Sequence, residues 1–196
     1  TLWRTAPTTV DQEMQPGGHL QEINGFTVFE GYYPYRGMKI VPSWGGSMFE
    51  ALMVTLFVPE SEWGPKSWGV NHPCYVRAQI EHGLLEAQYG YWGFSPSNNP
   101  AGDYRVYGVD AIGMDPNGYY SNNDKTGAES SLPASAYTNG VVTPHAVFLA
   151  LPFAPDAALQ NLANLRRDFK DAYGSHGFYD AINVQTGQVA QYYLAL

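Results

Sequence analysis

Val41-Pro42-Ser43-Trp44-Gly45-Gly46-Ser47-Met48-Phe49-Glu50-Ala51-Leu52-Met53 is the stretch on which the fold turns. Pro42 and the Gly45-Gly46 pair interrupt any regular element. Ser47 with Glu50 three residues later then forms a capping-box pattern, which opens a helix. The spacing predicts that helix from Met48 to about Val58. Met48, Phe49, Leu52, Met53, Leu56 and Phe57 cover it nearly all round, so it has no wet face and belongs inside a larger structure.

Outward from this segment the pattern alternates. Pro73 suits a first helical position and Gly90 a left-handed stop, predicting a second helix from Pro73 to about Tyr89. Val76, Ile80, Leu84 and Ala87 stripe one side of it, and Arg77, Glu81 and Glu86 lie off the stripe; Glu81 and Glu86 read as solvated surface, at positions compatible with pairing to Arg77 and His82. Thr143-Pro144 opens a third helix whose body, Ala146 to Leu151, is apolar throughout. Pro155 opens a fourth, amphipathic one ending near Tyr173-Gly174, with Ala158, Leu162, Leu165, Phe169 and Ala172 on its dry face. A further helix is expected from Gln188. Upstream, a short strand pair is expected around Phe26–Phe29 and Met38–Val41.

Buried helix, surface helix, buried helix, surface helix is the order an α/α toroid requires, its inner ring shielded by an outer one. Twelve helices of about 12 residues with connections of about 5 need roughly 200 residues. Here the connection from about Tyr91 to Val142 alone takes roughly 50, so the ring does not close within this length. That connection is rich in Tyr, Gly, Asn and Asp, the composition of an ordered functional loop.

Composition narrows the chemistry. Charged residues make up only 14% and aromatics 15%, led by tyrosine, which suits surfaces that grip sugars as well as an aromatic core. The net charge of -8, without clustered cations, disfavours nucleic acid. No run approaches the length of a membrane span. The sequence starts at Thr1-Leu2-Trp3 with no signal-peptide pattern, so export is not read from it. The single cysteine, Cys74, excludes an intrachain disulfide. Dispersed histidines offer no zinc pair, no nucleotide motif is present, and Asp115-Pro116-Asn117-Gly118 with Asp124 reads as turn chemistry rather than a calcium loop. No metal or cofactor is expected.

Five blocks, in order, resemble the bacterial glucoamylase-like domain family. They are the opening segment Val41–Met53, Tyr89-Gly90-Tyr91-Trp92-Gly93-Phe94-Ser95, Tyr107-Gly108-Val109-Asp110-Ala111-Ile112-Gly113, Val142-Thr143-Pro144-His145-Ala146 and Gly177-Phe178-Tyr179-Asp180-Ala181-Ile182. The resemblance implies an all-α (α/α)6 toroid, with residues 1–196 an incomplete C-terminal portion of that one domain. Long aromatic-rich loops and a small β-hairpin would accompany it. It also implies a glycoside hydrolase or transglycosylase acting on an oligo- or polysaccharide, β-1,2-glucan-like by its relatives. The full domain would be monomeric, and periplasmic or secreted. Two positions depart from the family pattern. Pro96 stands where some relatives carry a glutamate, so no role resting on a carboxylate there is carried over. Asp180 stands where glutamate is frequent, keeping the acid but shortening its reach.

Glycoside hydrolysis uses two carboxyl groups across the scissile bond, one protonating the leaving oxygen and the other activating water or attacking the sugar. Asp180 is the first candidate, against a hydrogen-bonding loop aspartate. Glu50 is the second, against its capping role, and Asp110 the third, against turn formation. Trp44 and Trp92, next to glycines, are candidate sugar-stacking platforms or core. Asp103, Tyr104, Arg105, His145 and Tyr179 complete the candidate substrate contacts. The competing class is a non-catalytic glycan-binding module that keeps the aromatic loops but lacks one acid.

Overall fold

The computed structural model describes residues 17–114 and 133–192. The chain opens with a β-meander. Strand β1 (Gly17–Ile23) pairs antiparallel with β2 (Phe26–Tyr35), which pairs with β3 (Met38–Ile40). Asn24 and Gly25 at one turn, Arg36 and Gly37 at the other, take the positive φ that two-residue hairpin turns need. The expected pairing of Phe26–Phe29 with Met38–Val41 is corrected: Phe26 lies opposite Ile23, and Met38 opposite Tyr35. The tight Arg36-Gly37 turn fixes that register.

Helix α1 (Met48–Leu52) continues as a 3-10 turn (Met53–Leu56), followed by the short α2 (Glu60–Trp63). Met48 and Leu52 are buried as expected, but Leu56 and Phe57 are exposed, Phe57 to 80%. The all-apolar surface is therefore only half covered. Helix α3 runs Trp68–Glu81 and ends in a π-helical turn (His82–Glu86). It starts before Pro73, so that residue sits inside the helix rather than at its head. An interior proline removes one backbone bond at a cost of about 3 kcal/mol. Burial of Tyr75, Val76 and Ala78 on the same helix offsets this.

The segment after α3 forms the β4–β5 hairpin (Ser97–Asn98 with Tyr104–Arg105) and a 3-10 turn (Asp110–Ile112). A second 3-10 turn (Ala134–Ala136) then leads to strand β6 (Val141–Val142). Asp115-Pro116-Asn117-Gly118 and Asp124 lie outside the described residues. Helix α4 (Pro144–Leu149) and helix α5 (Pro155–Asp168) both carry proline in the first turn, as anticipated. Helix α5 ends before the predicted stop, in a 3-10 turn (Lys170–Ala172). Strands β7 (Tyr173–Gly174) and β8 (Gly177–Phe178) make a hairpin. Strand β9 (Ala181–Asn183) lies between β6 and β10 (Val189–Ala190) in an antiparallel sheet.

Short, buried α1 and α4 pack on each other, with the longer α3 behind α1 and α5 behind α4. The inner–outer alternation is thus present, but the chain is not all-α. The helix expected from Gln188 is instead strand β10, its backbone paired to β9 through Val189 and Ala190. A strand position offered there, beside β9, satisfies the backbone that an isolated short helix would leave to water.

Buried amides tie the layers together. Gln79 on α3 donates to the Gly46 carbonyl (2.8 Å) and accepts from the Phe94 N–H (3.1 Å). Asn71 exchanges two bonds with the Val41 backbone, and Asn161 on α5 donates to the Trp92 carbonyl (2.9 Å). Outer-helix side chains thereby hold the irregular segments that carry the motif residues.

Candidate active site

The Trp44 loop is shaped by two backbones crossing. A Cβ on Gly46 would lie 2.0 Å from the Val109 carbonyl oxygen, and one on Gly108 equally close to that of Gly45. Only glycine permits this approach. The Val109 N–H donates to Gly46 (3.0 Å), and the Met114 N–H to both Ser43 and Trp44 (2.8 Å). With its backbone pinned from beneath, Trp44 is turned outward and is 46% exposed. Trp92 is 2% exposed and belongs to the core. Its reading as a sugar platform is corrected: the neighbouring Gly93 lets α4 approach rather than uncovering the ring, since a Cβ there would meet Val147 at 2.7 Å.

Ser47 caps α1, its hydroxyl accepting from the Glu50 N–H (3.4 Å), but the Glu50 side chain does not take the capping-box role expected of it. Its carboxylate accepts from the Gly45 N–H (3.3 Å) instead of closing the box on Ser47. The residue is open to solvent on one side while the Trp44 loop crowds the carboxyl on the other. That burial pushes its pKa up, and the Gly45 and Trp44 N–H groups pull it partly back. Asp110 heads the 3-10 turn under this loop, its backbone carbonyl accepting from the Gly113 N–H (2.9 Å).

Asp180 lies between β8 and β9 and is 2% exposed. Its Oδ2 accepts two bonds of 2.8 Å, from the N–H and from the side-chain amide of Asn98 on β4. Its own N–H donates to the Tyr192 carbonyl (2.8 Å). Its Oδ1 faces Nδ1 of His145 at 3.9 Å, and neither atom has a hydrogen-bond partner among the described residues. His145 is the second residue of α4, its ring set edge-on against Phe49 at 6.4 Å. Burial holds its pKa below the ordinary histidine value, against the opposing pull of Asp180. Tyr104, 58% exposed on β5, has its phenol pKa raised by burial first, then by the charges of Asp180 and Glu50. Trp44, Glu50, Tyr104, His145 and Asp180, from four separate segments of the sequence, therefore share one neighbourhood.

A cavity of about 760 Å³ opens from Asp180 and His145. Tyr179 and Phe178 line it, with Phe148 on α4 and Tyr173 on β7. Phe178 meets Phe148 and Tyr173 edge-on, and Arg166 stacks over Tyr173 at 4.3 Å. Asp103 in the β4–β5 turn and Arg105 on β5 lie 4.0 Å apart, with Asp103 in the left-handed region. Asn98, Phe148 and Tyr173 were not legible as site residues. The run Asn98-Asn99-Pro100-Ala101-Gly102-Asp103 announces only a turn, and its partner Asp180 is far along the chain. Glu86, read as solvated, is largely buried and bonded to His82 (3.1 Å) and Tyr35 (2.5 Å), while Glu81 does pair with Arg77, and also with Arg36. Among the described residues no three His, Cys, Asp or Glu side chains gather as a metal site, and no helix is long and apolar enough to cross a membrane.

A family model, glycoamylase, described as "Putative glucoamylase", matches residues 23–196. The cyclic β-(1,2)-glucan synthase NdvB of Rhizobium meliloti (strain 1021) is 31% identical over 169 residues, covering 79% of this chain and 5% of that protein. A solved "putative glucoamylase" from Bacteroides uniformis ATCC 8492 superposes with a TM-score of 0.58 at 16% identity, over 83% of this chain. An endo-β-1,2-glucanase from Chitinophaga pinensis, solved with sophorotriose and glucose, gives 0.54 at 18% identity over 90% of this chain. The chain spans 37% of each of those two structures, and at these identities the likeness is one of fold.

Proposed function

The chain belongs to the glycoamylase family, and from that premise we propose that it forms part of a glycoside hydrolase or transglycosylase acting on a glucan by paired carboxylates. The observation that carries the reading is Asp180: buried in the wall of an aromatic-lined cavity, anchored at one oxygen, with the other facing His145. In this reading Glu50, its pKa raised, is the acid that protonates the leaving glycosidic oxygen. Asp180 accepts a proton from water or attacks the sugar itself. Tyr104 and His145 contact hydroxyls between them, and Trp44 stacks on a ring. Asp103, Arg105, Tyr179 and Asp110 are further candidate contacts, Asp110 as an alternative second acid. A β-1,2-linked glucan is favoured because two similar proteins are named for that linkage.

The domain proposal goes with it. Large apolar side chains stand exposed at α1–α2 (Leu56, Phe57, Trp63). They suit an arc of an (α/α)6 toroid whose further helices cover this edge. A periplasmic or secreted location is part of the same proposal, testable by cell fractionation. The alternative, a non-catalytic glycan-binding module, is favoured by one observation: Pro96 leaves no carboxylate in its block.

Product release from β-1,2-, β-1,3-, α-1,4- and α-1,6-glucans, by the complete protein beside residues 1–196, tests these readings. Release from the β-1,2-glucan by the complete protein is expected. Binding without release from any glucan would favour the binding module.

A further inference from the structure

We infer that Asn98 is a positioning residue: it holds the Asp180 carboxylate away from His145. A direct N–H···O bond needs about 2.7–3.2 Å, and Nδ1 to Oδ1 is 3.9 Å. Both atoms are buried without a partner among the described residues. Two such groups, one an acid and one a base, would ordinarily close onto each other.

What opposes closure is the convergence of two Asn98 donors on a single carboxylate oxygen. Turning the carboxyl toward His145 breaks both bonds together. One donor is a backbone N–H of β4, and that strand is stiffened by its hairpin. The Asn99 N–H donates to the Asp103 carbonyl (2.8 Å), the Asn99 carboxamide oxygen accepts from the Ala101 N–H (2.8 Å), and its amide donates to the Tyr107 hydroxyl (2.7 Å). On the far side, Phe49 backs the imidazole. The clamp thus leaves one carboxylate oxygen fixed by Asn98 and the other facing the imidazole.

The titratable and charged groups around His145 are Asp180, Tyr104 on β5 with Glu50 beyond it on α1, and Arg166 and His176 across the cavity. None but Asp180 is released by changing Asn98. The catalytic consequence rests on the glucan-processing reading; the clamp itself does not.

The experiment is an NMR titration of the His145 imidazole in the full chain. Asn98→Ala removes the side-chain donor and leaves only the backbone N–H on the carboxylate, which is expected to shift toward His145 and raise its midpoint by up to about one pH unit. Adding Asp180→Asn should abolish that rise. Asn98→Val, which suits a strand and carries no donor, should repeat it should the alanine variant fold poorly. A midpoint unmoved by Asn98→Ala or Asn98→Val overturns the clamp, as does a rise that survives Asp180→Asn. In the complete protein, kcat on the responsive glucan should fall about 10²-fold with KM little changed. A shifted titration with no glucan turnover by the complete protein or its variants would leave the clamp standing and remove the enzymatic reading. Glucan turnover with an unshifted titration would do the reverse.

Discussion

Replacing Asp180 with asparagine should separate chemistry from architecture. The introduced carboxamide oxygen can still accept both Asn98 bonds, now 2.8 Å each, while its NH2 takes the place of the oxygen that faces His145. Since no donor is stranded and a buried charge is removed, stability should change by less than about 1 kcal/mol, a melting shift of under about 4 °C at this size. Alanine at the same place leaves both Asn98 donors without an acceptor, at about 1–3 kcal/mol each, so its melting point should fall by about 5–15 °C. Loss of an acid–base or nucleophilic carboxylate lowers turnover about 10²–10⁴-fold, or about 3–5 kcal/mol in the barrier. The assay is reducing-end release by the complete protein beside a thermal melt of each variant. The reasoning is refuted if Asp180→Asn folds like the parent and keeps turnover within about threefold.

Three further outcomes follow from the packing. Gly46→Ala must push a Cβ against the Val109 carbonyl at a positive φ and should cost about 2–4 kcal/mol in urea unfolding. Gly37→Ala has positive φ but open space and should cost only about 1 kcal/mol. Trp92→Ala should lose about 3–5 kcal/mol of stability, whereas Trp44→Ala should melt like the parent yet weaken glucan binding about tenfold by calorimetry. Acid stability should depend on Tyr35. Burial alone would push the Glu86 carboxyl up, but the His82 and Tyr35 bonds bring it below its ordinary value. Its contribution is therefore full above the unfolded value of about 4.3 and is lost as pH falls through the folded one. Tyr35→Phe should shift the acid-unfolding midpoint, followed by tryptophan fluorescence, to higher pH; an unchanged midpoint would show that the bond contributes nothing.

The helices were legible where local signals act alone. Ser47, Pro144 and Pro155 each open the helix expected of them, because caps and first-turn prolines depend on neighbours a few residues away. Pro73 misled for a related reason. A first-position proline and a tolerated interior one look identical in sequence, and only the packing of Tyr75 and Val76 decides that the interior cost is met. Strand β10 and the register of β2 depended on partners that no local pattern names. The two tryptophans carry the same flanking glycines, yet one is core and the other exposed. In each case glycine marks a close backbone approach, and the sequence does not say which side the ring takes.

By itself the sequence determined the alternation of buried and wet helices, the scarcity of charge, the five blocks and the acids worth considering. These follow from periodicity and local backbone chemistry, which are written along the chain. Only the tertiary structure decided that Asp180 is clamped by Asn98 and faces His145, that Glu50 shares its neighbourhood through Tyr104, and that Glu86 is a buried partner of Tyr35. Those facts depend on which distant segments meet, and on which polar atoms burial leaves without water. Such pairings are fixed by the packing of whole elements, and no spacing within one element encodes them.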